Sequence, residues 1–266
     1  YHTTISFSCQ RDFIYAIVSL VTERSLIFMK DFHMHSCFSA DSEAPMEAMI
    51  QAAIARGLSE ICFTEHIDFH HPDMEFLVDM PAYIRTLETY KSQYKDKILI
   101  HTGIELGIEP NNLSDSLAFY REYRSAVSFW IGSCHVFDGG DPYDRDFFSR
   151  MPASQVYRDY FDGVLYLVEH FPYADTYGHL DYVMRFDPSP EKYSLDAFSS
   201  QIDAILSAII RQNRALELNT GSYRNGLNHP HPNWPVIHRY IELGGTWVTT
   251  GSDAHTPKDI ASHFPL

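Results

Sequence analysis

Residues 26–66 read LIFMKDFHMHSCFSADSEAPMEAMIQAAIARGLSEICFTEH: a strand, a helix and a second strand in chain order. The first apolar run, residues 26–33, ends at His33-Met34-His35. Residues 45–56 predict a helix, because residues 44–54 are apolar-rich, Pro45 suits a first turn and Gly57 follows the end. Residues 61–64 predict the second strand, which ends at Glu65 and His66. This β-α-β unit carries ligand-type side chains at the close of both strands, and the pattern recurs along the chain.

Strands are predicted over residues 98–104, 129–133, 176–178, 215–218 and 247–250, with helices over 116–125, 154–171, 195–211 and 235–243. Glu105 ends the third strand, His135 the fourth, His179 the fifth, and Asp253 with His255 the seventh. Strands alternating with helices imply an α/β fold around a parallel sheet. In a β/α barrel the C-terminal strand ends share one face, and active sites are found there. Random placement would not gather imidazoles and carboxylates at those ends.

Length and composition narrow the classes further. A chain of 266 residues fits one barrel and buries enough surface to need no covalent staples. With 45% hydrophobic and 21% charged residues, a disordered chain is excluded. Against 35 acidic residues stand 20 basic ones, and the resulting charge of −15 argues against a nucleic-acid partner. Cys9, Cys37, Cys62 and Cys134 form no paired motif, so neither a disulfide framework nor a thiolate zinc site is indicated, and a reducing cytoplasm is the default setting. The longest apolar run, residues 13–21, is too short to span a bilayer and lacks a small-residue cleavage site, so no membrane partner is expected. Residues 1–28 read as an appendage, with Met29 opening the domain proper.

On a strand, period 2 sends His33 and His35 to one side, as a divalent-metal site requires. Two histidines satisfied by hydrogen bonds would give the same spacing. Asp253-Ala-His255 repeats the geometry with a carboxylate and an imidazole. Glu105 ends an apolar strand, where an unpaired carboxylate is expensive and either a bridged pair of cations or an arginine would remove the cost. Gly132 and Gly178 let strands approach closely near His135 and His179. His2, His101, His170, His238 and His263 have no companion at ligand spacing, while His70, His71, His229 and His231 fall in loops that can overhang a site. Arg185 and Arg224 lie on loops after the fifth and sixth strands, where guanidinium forks suit either a phosphate or a surface carboxylate.

Taken together, Asp31-Phe-His33-Met-His35-Ser, Phe63-Thr-Glu65-His66, Gly103-Ile-Glu105, Gly132-Ser-Cys-His135, Gly178-His179-Leu-Asp181 and Gly251-Ser-Asp253-Ala-His255 resemble the polymerase-and-histidinol-phosphatase (PHP) superfamily, in family order. Leu218-Asn-Thr-Gly-Ser-Tyr-Arg224 and the run from Gly178 to Arg185 are most similar to its histidinol-phosphate phosphatase branch. The resemblance implies a distorted (β/α)7 barrel holding three divalent metals, zinc, manganese or iron. By that analogy His33, His35, Glu105 and Asp253 bind the first metal. Glu105 bridges to a second metal, which His135 and His179 complete, and Asp41, His66 and His255 hold the third. Glu65 stands where aspartate is more usual and supports the ligands from behind. The family pattern also leads to the expectation that the domain, residues 29–266 here, continues past Leu266 into a helix and a strand.

The activity so implied is hydrolysis of the small-molecule monoester L-histidinol phosphate to L-histidinol and phosphate, a step of histidine biosynthesis. Neighbouring dications make hydroxide available at neutral pH and clamp the oxygens of an in-line displacement. Arg185 and Arg224 then offset phosphoryl charge, and Asp253 or His255 assists the leaving group. Two alternatives remain at this stage: a PHP phosphoesterase acting on nucleotides or oligonucleotides, and a metal-stabilised PHP module without catalysis.

Overall fold

The strands are buried almost throughout, as parallel strands covered on both faces require. In the computed structural model the described residues are 29–72, 74–137, 140–144, 146–189 and 194–264. The expected appendage over 1–28 lies outside them. Seven strands run in chain order: β1 (Lys30–Met34), β2 (Glu60–Asp68), β3 (Leu99–Gly107), β4 (Phe129–Ser133), β5 (Thr176–Tyr177), β6 (Ala215–Asn219) and β7 (Val248–Gly251). Each pairs in parallel with the next. The helices between them are α1 (Met46–Ala55), α2 (Met80–Tyr94), α3 (Leu113–Tyr123), α4 (Phe147–Arg150), α5 (Ala153–His170), α6 (Ser199–Arg211) and α7 (Trp234–Glu242).

The sheet closes on itself by backbone hydrogen bonds at the upper end of β1. His35 N–H donates to Ala254 O at 2.9 Å, and Asp253 N–H donates to His33 O at 2.8 Å. Asp31 reinforces this seam from inside. Its buried carboxylate accepts from the Ser252 and Ala261 amides, each at 2.9 Å, and from the Ser252 hydroxyl. The result is the expected distorted (β/α)7 barrel.

The sequence expectation missed the short helix α4 and the last residues of β3, to Gly107, and two larger departures stand out. β2 runs four residues past Thr64, to Asp68, because its ladder with β3 continues through His66↔Glu105 to Asp68↔Gly107. Helix α2 was not among the expected elements. Asp79 caps it by accepting from Ala82 N–H at 3.0 Å, and it buries only Met80, Tyr83, Leu87 and Tyr94. No described helix is long and apolar enough to cross a membrane.

Candidate metal centre

Parallel register gathers the site. It sets His66 beside Glu105 across β2 and β3, and the strand ends carry the other ligand candidates to the same face. Glu105 is fully buried at the centre of five imidazoles. Its Oε2 lies 3.0 Å from His33 Nε2, 3.1 Å from His66 Nδ1 and 3.6 Å from His35 Nε2. Its Oε1 lies 2.8 Å from His179 Nε2 and 3.1 Å from His135 Nε2, and accepts the Ser133 hydroxyl at 2.6 Å. Among the described residues no arginine forms an ion pair with Glu105. Both oxygens face imidazole nitrogens.

Burial pushes the Glu105 carboxyl up, but the His33, His66 and His135 rings outweigh it and hold it well below the usual carboxylate range. Asp253 behaves alike: burial raises it, and His33, His35 and Arg185 bring it well below its ordinary value. Its Oδ1 lies 3.5 Å from His35 Nε2 and 3.8 Å from His33 Nε2. Burial and the neighbouring His66 and His255 keep His35 well below the ordinary histidine value, so its ring is neutral and ligand-competent. Asp41 sits at the outer rim, 3.1 Å from His255 Nε2 and 3.5 Å from His66 Nε2.

Four overlapping groups have ligating atoms all within 4.8 Å of one another: His33 with His35 and Asp253; His33 with Glu105 and His179; His66 with Glu105 and His135; His35 with His66 and His255. Two nitrogens inside this cluster, His35 Nε2 and His66 Nδ1, are buried beside carboxylate oxygens at 3.5 Å and 3.1 Å but make no well-aligned hydrogen bond. A cation would satisfy both, since a neutral imidazole offers it a lone pair. The donor set therefore fits divalent metals. Asp253 and His179 both sit at positive φ, 54° and 21°, local strain held by the seam and by the hydrogen bonds around them.

Several residues around this cluster escaped the sequence reading. Glu217 on β6 places Oε1 2.6 Å from His33 Nδ1, while its Oε2 accepts the His179 amide at 2.7 Å. Asp68 lies 2.8 Å from His135 Nδ1. Each left a signal: period 2 places Asp68 with His66 on β2, and Glu217 interrupts an apolar strand as Glu105 does. Glu65 touches the cluster only through Ser39. It accepts the Ser39 hydroxyl at 2.6 Å, and that oxygen lies 3.2 Å from His35 Nδ1. Burial raises the Glu65 carboxyl to about 7, against the lowering effect of the Ser36 and Ser39 hydrogen bonds.

A cavity of about 770 Å³ opens over the cluster, and both arginines line it. Arg185 lies 4.4 Å from the Tyr182 ring centroid and donates to Asp253 Oδ2 at 3.3 Å. Arg224 is more committed than its sequence position suggested: Nη1 donates to Ser252 O at 2.7 Å and Nη2 to Asp253 O at 2.5 Å. Of the loop histidines, His71 lines the cavity and pairs with Asp141 at 3.5 Å, while His70 turns outward to Asp115 at 2.8 Å. His231 is fully buried against Asp181. His101 pairs with Glu60 at 3.2 Å, away from the cluster.

A cluster of imidazoles around one central carboxylate, at the strand ends of a seven-stranded barrel, is the site of a metal-binding PHP domain. The PHP domain family matches residues 31–221, and the chain belongs to that family. Among curated proteins it is similar to histidinol-phosphatase of Lactococcus lactis, 35% identical over 235 residues that cover 86% of this chain and 84% of that one. It also matches a "probable histidinol-phosphatase" of Clostridium acetobutylicum, 30% identical, with 88% and 89% covered. Among solved structures, the Lactococcus lactis histidinol phosphate phosphatase complexed with zinc, L-histidinol and phosphate superposes with a TM-score of 0.80 at 32% identity, covering 86% of this chain and 87% of that one.

Proposed function

We propose that the protein is a metal-dependent phosphomonoesterase that hydrolyses L-histidinol phosphate to L-histidinol and phosphate in the cytoplasm. The observation that carries this reading is Glu105, with both oxygens against imidazoles, three of which (His66, His135 and His179) line a cavity that two arginines also line. The relatives named for this activity, and the neighbour complexed with zinc, L-histidinol and phosphate, support it. Up to three divalent ions would be held: one by His33, His35, Glu105 and Asp253, one by Glu105, His135 and His179, and one by Asp41, His66 and His255. When bound, they would acidify water and neutralise phosphoryl charge.

The chain's own residues do the rest. Arg185 carries a fixed positive charge at the cavity wall, where it offsets charge on the equatorial phosphoryl oxygens. Arg224 holds the Ser252 and Asp253 carbonyls and so fixes the turn that presents Asp253, while its guanidinium edge faces the same cavity. Asp253 and His255 line the cavity. The leaving alkoxide would be stabilised by an ion that Asp253 or His255 helps to hold. Residues 29–266 carry the phosphoesterase, and residues 1–28 take no part in the chemistry.

The test is a substrate panel on zinc- or manganese-loaded protein: L-histidinol phosphate, nucleoside monophosphates, an oligonucleotide and a sugar phosphate. Preference for L-histidinol phosphate by a hundredfold or so in kcat/KM is expected. Equal or better turnover of nucleotides would move the protein to another branch of the family.

A further inference from the structure

Ser39 stands in the turn after β1, and its buried hydroxyl meets three groups at once. It donates to Glu65 Oε2 at 2.6 Å, accepts the His66 amide at 3.0 Å, and lies 3.2 Å from His35 Nδ1. Glu65 is itself fixed. Its Oε2 also accepts the Ser36 amide at 3.0 Å, and its Oε1 accepts the Ser36 hydroxyl at 2.5 Å. Ser36, Ser39, Glu65 and His35 are all buried, so water does not compete for these bonds.

Counting donors and acceptors assigns each role. A hydroxyl has one proton and two lone pairs. Glu65 takes the proton, and the His66 N–H fills one lone pair. The other is left for His35 Nδ1, which must then carry the ring proton. A neutral imidazole has a single N–H, so Nε2 keeps its lone pair. That nitrogen lies 3.5 Å from Asp253 Oδ1 and 3.6 Å from Glu105 Oε2, inside the cluster.

Packing alone leaves the ring's orientation open. The His35 ring is stacked between His66, with centroids 4.1 Å apart, and His255, at 4.2 Å, and this fixes its plane. A half-turn about the Cβ–Cγ bond keeps that plane, yet exchanges Nδ1 with Cδ2 and Nε2 with Cε1. Stacking is nearly indifferent to the exchange. The contact with Ser39 is not, because the flipped ring would offer a C–H where the hydroxyl needs a donor.

We propose that the Ser39 hydroxyl selects the tautomer and ring orientation of His35 that aim Nε2 into the metal cluster, with Glu65 as the acceptor that holds the hydroxyl in place. Ser39 is a positioning residue in this role, acting through His35 rather than on metal or substrate. A metal-binding histidine is ordinarily oriented by a partner on its other ring nitrogen. The same oxygen also holds the His66 amide, so it ties together ligand candidates from β2 and from the end of β1. The inference rests on the reading of His35 as a metal ligand.

Ser39→Ala and Ser36→Ala make the comparison. Each removes one hydroxyl from the same Glu65 carboxylate, and only Ser39→Ala takes the acceptor from His35. Zinc affinity, measured by chelator competition, should fall by roughly tenfold or more in Ser39→Ala and stay close to the parent's in Ser36→Ala. The ring proton gives a spectroscopic readout on zinc-loaded protein with isotope-labelled histidine, where the His35 signal is assigned by its loss in His35→Gln. Magnetic resonance should find the proton on Nδ1, slow to exchange with water in the parent and in Ser36→Ala, and fast to exchange in Ser39→Ala. Neither readout depends on the identity of the substrate. With zinc bound to the parent, parent-like affinity in Ser39→Ala, an equal loss in both serine variants, or a His35 ring protonated on Nε2 overturns the inference alone. A parent protein that retains no zinc overturns the metal reading, and this inference with it.

Discussion

Glu217 and His33 meet inside the barrel, with Glu217 Oε1 2.6 Å from His33 Nδ1 and both side chains buried. Two strands from opposite ends of the sequence are thereby joined beneath the metal cluster, and His33 keeps Nε2 turned towards Glu105 at 3.0 Å. The other Glu217 oxygen accepts the His179 amide at 2.7 Å, so a single carboxylate orients two ligand candidates. In Glu217→Gln one amide face becomes a donor. Whichever way the amide turns, a donor meets a donor, at His33 or at His179. Zinc affinity, measured by chelator competition, should fall by roughly tenfold to a hundredfold while far-UV circular dichroism stays unchanged. Parent-like affinity would show that Glu217 only fills space.

Glu105→Ala should lose more than one equivalent of metal. Its two oxygens face different imidazoles: His33 and His66 on one side, His135 and His179 on the other. By contrast, His255→Ala removes a ligand from the outer group alone. Elemental analysis of both variants after loading and desalting provides the comparison. Equal losses would mean that Glu105 serves one ion rather than two.

How far the sequence carried the reading depends on where each partner lies. β4 was legible end to end because its apolar run stops where its ladder stops, at Ser133. β2 was cut short because Glu65, His66 and Asp68 break the apolar run, although β3 keeps pairing with all of them. Helix α2 was missed because only four of its fifteen residues are buried, two of them tyrosines. Glu105 stood out as a carboxylate in an apolar strand. Glu217 interrupts β6 in the same way and was overlooked, whereas Asp31 and the Asp181–His231 pair have partners on other strands and loops, and proximity across a barrel leaves no local signature. The same holds for Arg224, whose fork is taken up by carbonyls 28 and 29 residues away.

Removing residues 1–28 should leave the protein folded and metal-loaded. No ligand candidate lies in that stretch, and the described barrel closes with β1 starting at Lys30, sealed to residues 252–254. A chain beginning at Met29 should melt within about 4 °C of the full chain, a difference of roughly 1 kcal/mol or less for a domain this size. Insolubility of the shorter chain, or loss of its zinc, would make the stretch part of the fold.

The arginines decide between a phosphomonoesterase and a metal protein of another kind, and their contacts differ. A terminal phosphate is a dianion with three oxygens, and metals engage only some of them, so fixed donors must meet the remainder. Arg185 is placed for this: it lines the cavity, is braced by the Tyr182 ring, and spends only a 3.3 Å contact on Asp253 Oδ2. Arg185→Ala should keep its zinc within measurement and lose roughly a hundredfold in kcat/KM for L-histidinol phosphate, since a charge-assisted contact in a shielded site is worth on the order of 3 kcal/mol. Arg185→Lys should recover part of that, because the charge survives and the fork does not. Arg224→Ala should behave differently. It releases the Ser252 and Asp253 carbonyls, so the turn presenting Asp253 loosens and zinc is lost together with activity. The two single variants therefore differ in metal content while agreeing in lost turnover, and the double variant should be nearly inactive. If Arg185→Ala hydrolyses L-histidinol phosphate as well as the parent with its zinc in place, the phosphate is held elsewhere and the assignment of this wall of the cavity is wrong.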